Sequence, residues 1–195
     1  MKMNLVLRKI KAAAWQAKMA TKKRALESEV LLVASRFRVE RITQHLADGT
    51  RHSREIIKHP GAVVILPILP DGSLCLIRNY RVAVDRVLLE LPAGTLEPNE
   101  PPIETARREL IEETGFRCTE IVPLCEFAMS PGILDERMHA FVAKGLVAGD
   151  PAREIGEQIE NLIVSPTELE QMLRTGQIED AKTLATLLYY LRYSA

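Results

Sequence analysis

Hydrophobic and polar positions along the chain alternate between two periods. Positions 62–69 are almost continuously apolar, the pattern of a strand buried on both faces. Pro70-Asp71-Gly72 then predicts a turn into a second strand at 74–77, and so a hairpin. Residues 87–89 read as a further strand that ends at Leu91-Pro92-Ala93-Gly94. Pro101 and Pro102 preset the first turn of a helix running to about Thr114, with Gly115 suited to a left-handed stop. Strand-like segments follow at 121–127, 138–143 and 159–164. Ser165-Pro166-Thr167-Glu168 predicts a capping box and a helix closed by Gly176. Leucines at 184, 187, 188 and 191 predict a last helix from about Asp180 to Tyr193. Upstream, 30–33 and 36–40 run apolar or alternate, Asp48-Gly49 marks a turn, and 54–57 resumes the extended pattern. That stretch is too small for a core of its own, so it is expected to pack on the main domain or on a second subunit. Strands interspersed with a few helices imply an α/β (α+β) chain, a mixed sheet covered by helices.

Length and composition narrow this only a little. With 195 residues, 47% hydrophobic and 27% charged, the chain has room for one full domain plus an extension. It contains no apolar run of the length a transmembrane helix needs. Cys75, Cys118 and Cys125 form no CxxC pair, which argues against a disulfide framework and for a reducing, cytoplasmic setting. Basic and acidic residues balance at 26 each, so net charge makes no case for nucleic acid. The balance hides an asymmetry: residues 1–26 carry eight Lys or Arg and no acid. Segment 1–28 is therefore expected to be a basic helical extension. It reads either as an added helix or tail, or as a membrane-surface or targeting segment. The expected division is 1–28 extension, 29–58 small antiparallel β subdomain, and 59–195 main domain.

The segment from Gly94 to Phe116 carries the chemistry. Its helix places Glu109, Glu112 and Glu113 at i, i+3 and i+4, on one face beside an apolar stripe of Ile103, Ala106 and Leu110. Like charges at these spacings weaken a helix. Arg108 can relieve Glu112 at i+4 but cannot neutralise all three, and hard divalent cations seek several carboxylate oxygens. On an ordinary helix such a face is simply solvated. Here it is embedded in a longer pattern. Gly94 is followed by five residues, Glu100, seven residues, and then Arg108-Glu109-Leu110-Ile111-Glu112-Glu113-Thr114-Gly115-Phe116. The complete pattern G-x5-E-x7-R-E-U-x-E-E-x-G-U, with U aliphatic or aromatic, arises by chance on the order of 10⁻⁹ per window.

The chain thus resembles the Nudix hydrolases, and beyond the box it is similar to their ADP-ribose pyrophosphatase group. Asn79-Tyr80-Arg81, Glu90-Leu91-Pro92-Ala93-Gly94, Ser130-Pro131-Gly132 with Asp135-Glu136, and Gly176 to Thr183 carry that likeness over about residues 35–192. The resemblance implies an α/β/α sandwich that hydrolyses the pyrophosphate bond of a nucleotide sugar, first of all ADP-ribose to AMP and ribose 5-phosphate. ADP-glucose or GDP-mannose hydrolysis, and a non-catalytic nucleotide-binding regulator, are the other readings. It further implies two or three Mg²⁺ or Mn²⁺ ions per site, held by Glu109, Glu112, Glu113 and the carbonyl of Ala93, with Arg108 orienting the glutamates together with Glu100. Arg81 would clamp phosphate, and Pro131 marks the substrate class. The family's small N-terminal sheet usually exchanges across a homodimer, so Phe37 could stack the base and Arg54 could reach it from the partner. Phe37 also reads as a plain core residue. The general base would be a loop glutamate, Glu157 first and Glu154 second, either of which reads equally as a solvated carboxylate. The histidines show no metal-ligand spacing.

Overall fold

The computed structural model describes residues 26–153 and 158–194. The chain divides into two units, one holding residues up to Val33 together with Val39–Ile56, the other Ala34–Arg38 and Ile57 onward. The smaller unit is a three-stranded sheet in the order β1 (Leu26–Val33), β2 (Arg38–His45), β3 (Arg51–Lys58). The pairs Arg41–Glu55 and Thr43–Ser53 step in opposite directions along β2 and β3, as antiparallel neighbours do. All eight residues of β1 are exposed. The expected helix over 1–28 lies outside the described residues except at 26–28, which instead open β1.

The larger unit is built on two sheets. A mixed four-stranded sheet has the order β7 (Ala93–Thr95), β4 (Ala62–Pro67), β9 (Arg137–Val147), β8 (Arg117–Ala128). Its β4 runs parallel to β9, while β7 and β8 are antiparallel additions. A three-stranded sheet has the order β10 (Ile159–Val164), β5 (Leu74–Arg81), β6 (Arg86–Glu90). Helices α1 (Pro102–Thr114), α2 (Pro166–Arg174) and α3 (Ala181–Tyr193) complete the unit.

Strand β4 explains the layering. All six of its residues are buried. Val63 and Ile65 face a core shared with Ala106 and Leu110 of α1 and with Ile121 and Phe141. Ala62, Val64 and Leu66 face a second core with Leu76, Leu169 and Leu187. An uninterrupted apolar run is what a strand between two packed layers requires. The anticipated hairpin at 70–72 needs correction: β4 and β5 lie in different sheets, joined by the single bridge Ile68–Leu74. The two strands stack instead of pairing: Val64 and Leu66 of β4 meet Leu74 and Leu76 of β5 in one core between the sheets.

The element ends follow local chemistry. Gly115, at φ +80, closes α1 with its N–H on the carbonyl of Ile111. A side chain there would strike the carbonyl of Gly149 at 2.3 Å. The capping box at α2 is complete: the Glu168 N–H donates to Ser165 Oγ, and the Ser165 N–H donates to the Glu168 carboxylate. Asp180 caps α3 by accepting from the Thr183 N–H at 2.9 Å.

Candidate active site

Strand β7 and the middle of α1 meet where Gly94 lies against Glu109. A Cβ on Gly94 would sit 1.9 Å from the Cδ and Oε1 of Glu109, so only glycine lets the carboxylate rest there. Next to it the Ala93 N–H donates to Glu113 Oε2 at 2.9 Å, and Glu113 is buried. Arg108 gathers the others: its Nη1 donates to Glu109 Oε1 and to Glu112 Oε2, each at 2.8 Å. Its Nε and Nη2 fork onto Glu100 at 3.2 and 3.0 Å. Thr105 Oγ1 donates to the same Glu100 carboxylate at 2.8 Å. The Arg108 hydrogen bonds hold the Glu100 carboxyl below the usual carboxylate range, and the Glu100 fork raises Arg108 in return.

These groups open onto a cavity of about 760 Å³ lined by Ala93, Gly94, Arg108, Glu109, Glu112 and Glu113, and also by Arg81, Glu136, Asp180 and Lys182. The lining holds six acidic residues, namely Glu97, Glu109, Glu112, Glu113, Glu136 and Asp180, against four basic ones, Arg36, Arg81, Arg108 and Lys182. Among the described residues no three acidic, histidine or cysteine side chains converge on one ion-sized point. The carboxylates of α1 are instead shared out, two to Arg108 and one to a backbone N–H. The donor set is nonetheless one that hard cations favour, and the glycine-sized recess at residue 94 sits beside it.

Two of the lining residues, Arg81 and Lys182, belong to a group that was not anticipated. Glu90, fully buried at the end of β6, accepts a fork from Arg81: Nε on Oε1 at 2.8 Å and Nη2 on Oε2 at 2.6 Å. Lys182 Nζ donates to the same Oε2 and lies 3.0 Å from Asp180 Oδ1. Burial pushes Glu90 up, but the hydrogen bonds of Arg81 and the charges of Lys182 and Arg81 outweigh it, and its carboxyl falls below the ordinary range. Glu90 raises Arg81. A glutamate that breaks the apolar stretch from Val87 to Leu91 is the signal that could have found this group, because a buried acid demands cations.

The remaining anticipated residues are placed as follows. Arg81 lines the cavity. Phe37 is 40% exposed, neither a core residue nor part of the cavity lining, and Pro131 is exposed outside it. Arg54 is an exposed residue of β3 in the smaller unit. Glu154 and Glu157 lie outside the described residues. Asp135, downstream of Pro131, is anchored, accepting from the His59 N–H at 2.8 Å and from Lys58 Nζ at 2.7 Å, and Glu136 lines the cavity.

The family model of the NUDIX domain matches residues 58–187. The chain belongs to the Nudix family. Members of this family generally depend on divalent cations. The chain is 37% identical to the methanol dehydrogenase activator of Bacillus methanolicus and 36% identical to the ADP-ribose pyrophosphatase of Bacillus subtilis. Each match covers 74% of this chain and 79% of the relative. A GDP-mannose pyrophosphatase of Shigella flexneri is 35% identical over 89% of this chain and 97% of its own length. Among solved structures, an ADP compounds hydrolase superposes with a TM-score of 0.77 at 25% identity, covering 88% of this chain and 94% of that one. The mixed sheet between helices in this chain is thus the Nudix sandwich, as the box implies.

Proposed function

We propose that this Nudix protein hydrolyses the pyrophosphate bond of nucleotide sugars, with ADP-ribose, yielding AMP and ribose 5-phosphate, as the leading substrate. The arrangement that carries the reading is the carboxylate face of α1, ordered by Arg108 and seated on Gly94, inside a cavity that also presents Arg81. Glu109, Glu112, Glu113 and the carbonyl of Ala93 would hold Mg²⁺, with Mn²⁺ as a substitute and two or three ions per site. Bound there, the cations would offset the diphosphate charge and make a water more acidic.

The chain's own groups do the rest. Arg108 keeps Glu109 and Glu112 from springing apart, and Glu100 with Thr105 fixes the arginine in turn. Arg81, in the lining of the same cavity, would orient the diphosphate through the Nη1 amino group that its fork on Glu90 leaves over. Glu157, with Glu154 second, would take the proton from the attacking water. Phe37 and the partner's copy of Arg54 would complete the base pocket in a cytoplasmic homodimer. Five exposed apolar residues on β1 (Leu26, Val30, Leu31, Leu32 and Val33) support such pairing. No described helix is long and apolar enough to cross a membrane.

Rates on ADP-ribose, ADP-glucose and GDP-mannose with Mg²⁺, with the products identified, test this. ADP-ribose should be cleaved fastest, to AMP. A second reading, GDP-mannose hydrolysis, is supported by the relative matched over 97% of its length. A GDP-mannose rate far above that on ADP-ribose selects it. A regulator without catalysis fits poorly with a chain that keeps all four of Glu100, Glu109, Glu112 and Glu113.

A further inference from the structure

Glu90 poses a physical problem. Its fork onto Arg81 fixes the plane of the guanidinium and leaves the Nη1 amino group outside the pair. Alone, however, that carboxylate would cancel the charge Arg81 needs for a phosphate. Lys182, buried to within 8% and donating to the same Glu90 oxygen, supplies the missing charge. Asp180 Oδ1 also lies 3.0 Å from Lys182 Nζ, so two carboxylates, Glu90 and Asp180, face two cations and the group balances only while Lys182 is present. Asp180 Oδ2 accepts from the Thr183 N–H at 2.9 Å and from Thr183 Oγ1 at 2.6 Å, at the positive end of α3. Thr183 Oγ1 also accepts the Leu91 N–H at 2.8 Å, tying α3 to the strand end that carries Glu90.

We propose that Lys182 is a positioning residue for the substrate diphosphate. It takes up the charge of Glu90, so that Arg81 stays aligned by the carboxylate yet keeps its cationic character toward the phosphates. This rests on the nucleotide-sugar reading above. A salt bridge that merely fastened α3 to β6 would influence stability but not substrate affinity.

Steady-state kinetics on ADP-ribose with saturating Mg²⁺ separate the two. Lys182→Met should raise KM roughly tenfold, the scale of one unit charge acting over several ångströms at an intermediate dielectric, with kcat within about threefold. Lys182→Arg should keep KM near the wild-type value. The charge-balanced double variant Glu90→Gln/Lys182→Met should recover most of the KM, because the amide oxygen still accepts from Arg81 and the group keeps its wild-type net charge. An unchanged KM in folded Lys182→Met, or a double variant no better than the single one, overturns the proposal. Should Lys182→Met not fold, Lys182→Gln, which can still donate to Glu90 without the charge, gives the same decision. A wild-type protein that cleaves no nucleotide sugar overturns the functional reading and this inference together. Cleavage by the wild type with KM indifferent to residue 182 removes this inference alone.

Discussion

Substituting Gly94 by alanine separates stability from chemistry at a single carbon atom. The new Cβ would lie 1.9 Å from Cδ and Oε1 of Glu109 and 2.4 Å from Oε2. Carbon atoms in contact prefer about 3.5–4 Å, so the carboxylate must retreat by about 1.5–2 Å. The retreat is cheap for the fold, because the displaced atoms are the tip of a flexible side chain. Gly94 is not among the glycines with positive φ, so alanine suits its backbone. The entropy lost by the unfolded chain even favours alanine by about 0.4–1 kcal/mol. Stability should therefore change by no more than about 1 kcal/mol, about 2–4 °C in Tm for a chain of this size. Catalysis should suffer far more, since a misplacement of about 1 Å can cost about a hundredfold. The expected result is a kcat/KM on ADP-ribose lower by about two orders of magnitude, with a weaker Mg²⁺ dependence, in a protein that melts normally. Gly72→Ala provides the opposite signature: its φ of +85 strains any side chain, yet nothing lies within 4 Å. It should lose about 1–2 kcal/mol of stability and keep its rate. A Gly94→Ala protein with kcat/KM within threefold of wild type would refute the claim that Glu109 must rest on a bare backbone.

Other outcomes follow from the same geometry. Glu109→Gln and Glu113→Gln should each lower kcat by about two orders of magnitude or more with circular dichroism unchanged; full activity in both would remove the metal assignment. Glu90 and Glu100 titrate below their ordinary value of 4.5 in the folded chain, so the stability they contribute is complete above that pH and is lost as pH falls through their lower folded values. Urea midpoints should accordingly fall more gently in acid for Glu90→Gln than for wild type, and parallel acid limbs would contradict this. Burial pushes the Cys75 thiol up to about 12, and its side chain is fully enclosed. Native protein at pH 8 should leave Cys75 unalkylated by iodoacetamide under conditions that label it in urea, as peptide mass spectrometry would reveal. Leu110→Ala, at a fully buried position beneath the carboxylate face, should cost about 2–5 kcal/mol.

The parts of this molecule that were legible in advance are those fixed by short-range chemistry. The helix 102–114 announces both ends, by Pro102 at its start and Gly115 at its stop, and the box fixes which side chains share a face. The capping box at Ser165 is equally local. What escaped depends on residues distant in sequence. Whether 62–69 and 74–77 pair or part is decided by neighbours such as β9 and β10, which lie far downstream. Lys182 and Glu90 are separated by 92 positions, so no window contains both halves of the pair. Glu90 alone was a clue, but only burial turns an acidic residue after Leu89 into a group that must collect cations.

The two charge clusters that reach the cavity lining differ in balance. On α1, a single guanidinium is shared among Glu100, Glu109 and Glu112, so that wall is short of positive charge. At Glu90, one carboxylate is shared between Arg81 and Lys182, and Asp180 Oδ1 lies 3.0 Å from the lysine, so that centre sets two bases against two acids. A diphosphate carrying divalent cations has this polarity: its anionic oxygens suit Arg81, and its cations suit the glutamates. The bare anion does not, because six acidic residues outnumber four basic ones around the lining and would repel it. On the proposed function, substrate and cation would each favour the other's entry. The box names the family, and the proposed hold on the phosphates would come from outside it, from Arg81 of β5 supported by Glu90 of β6 and Lys182 of α3.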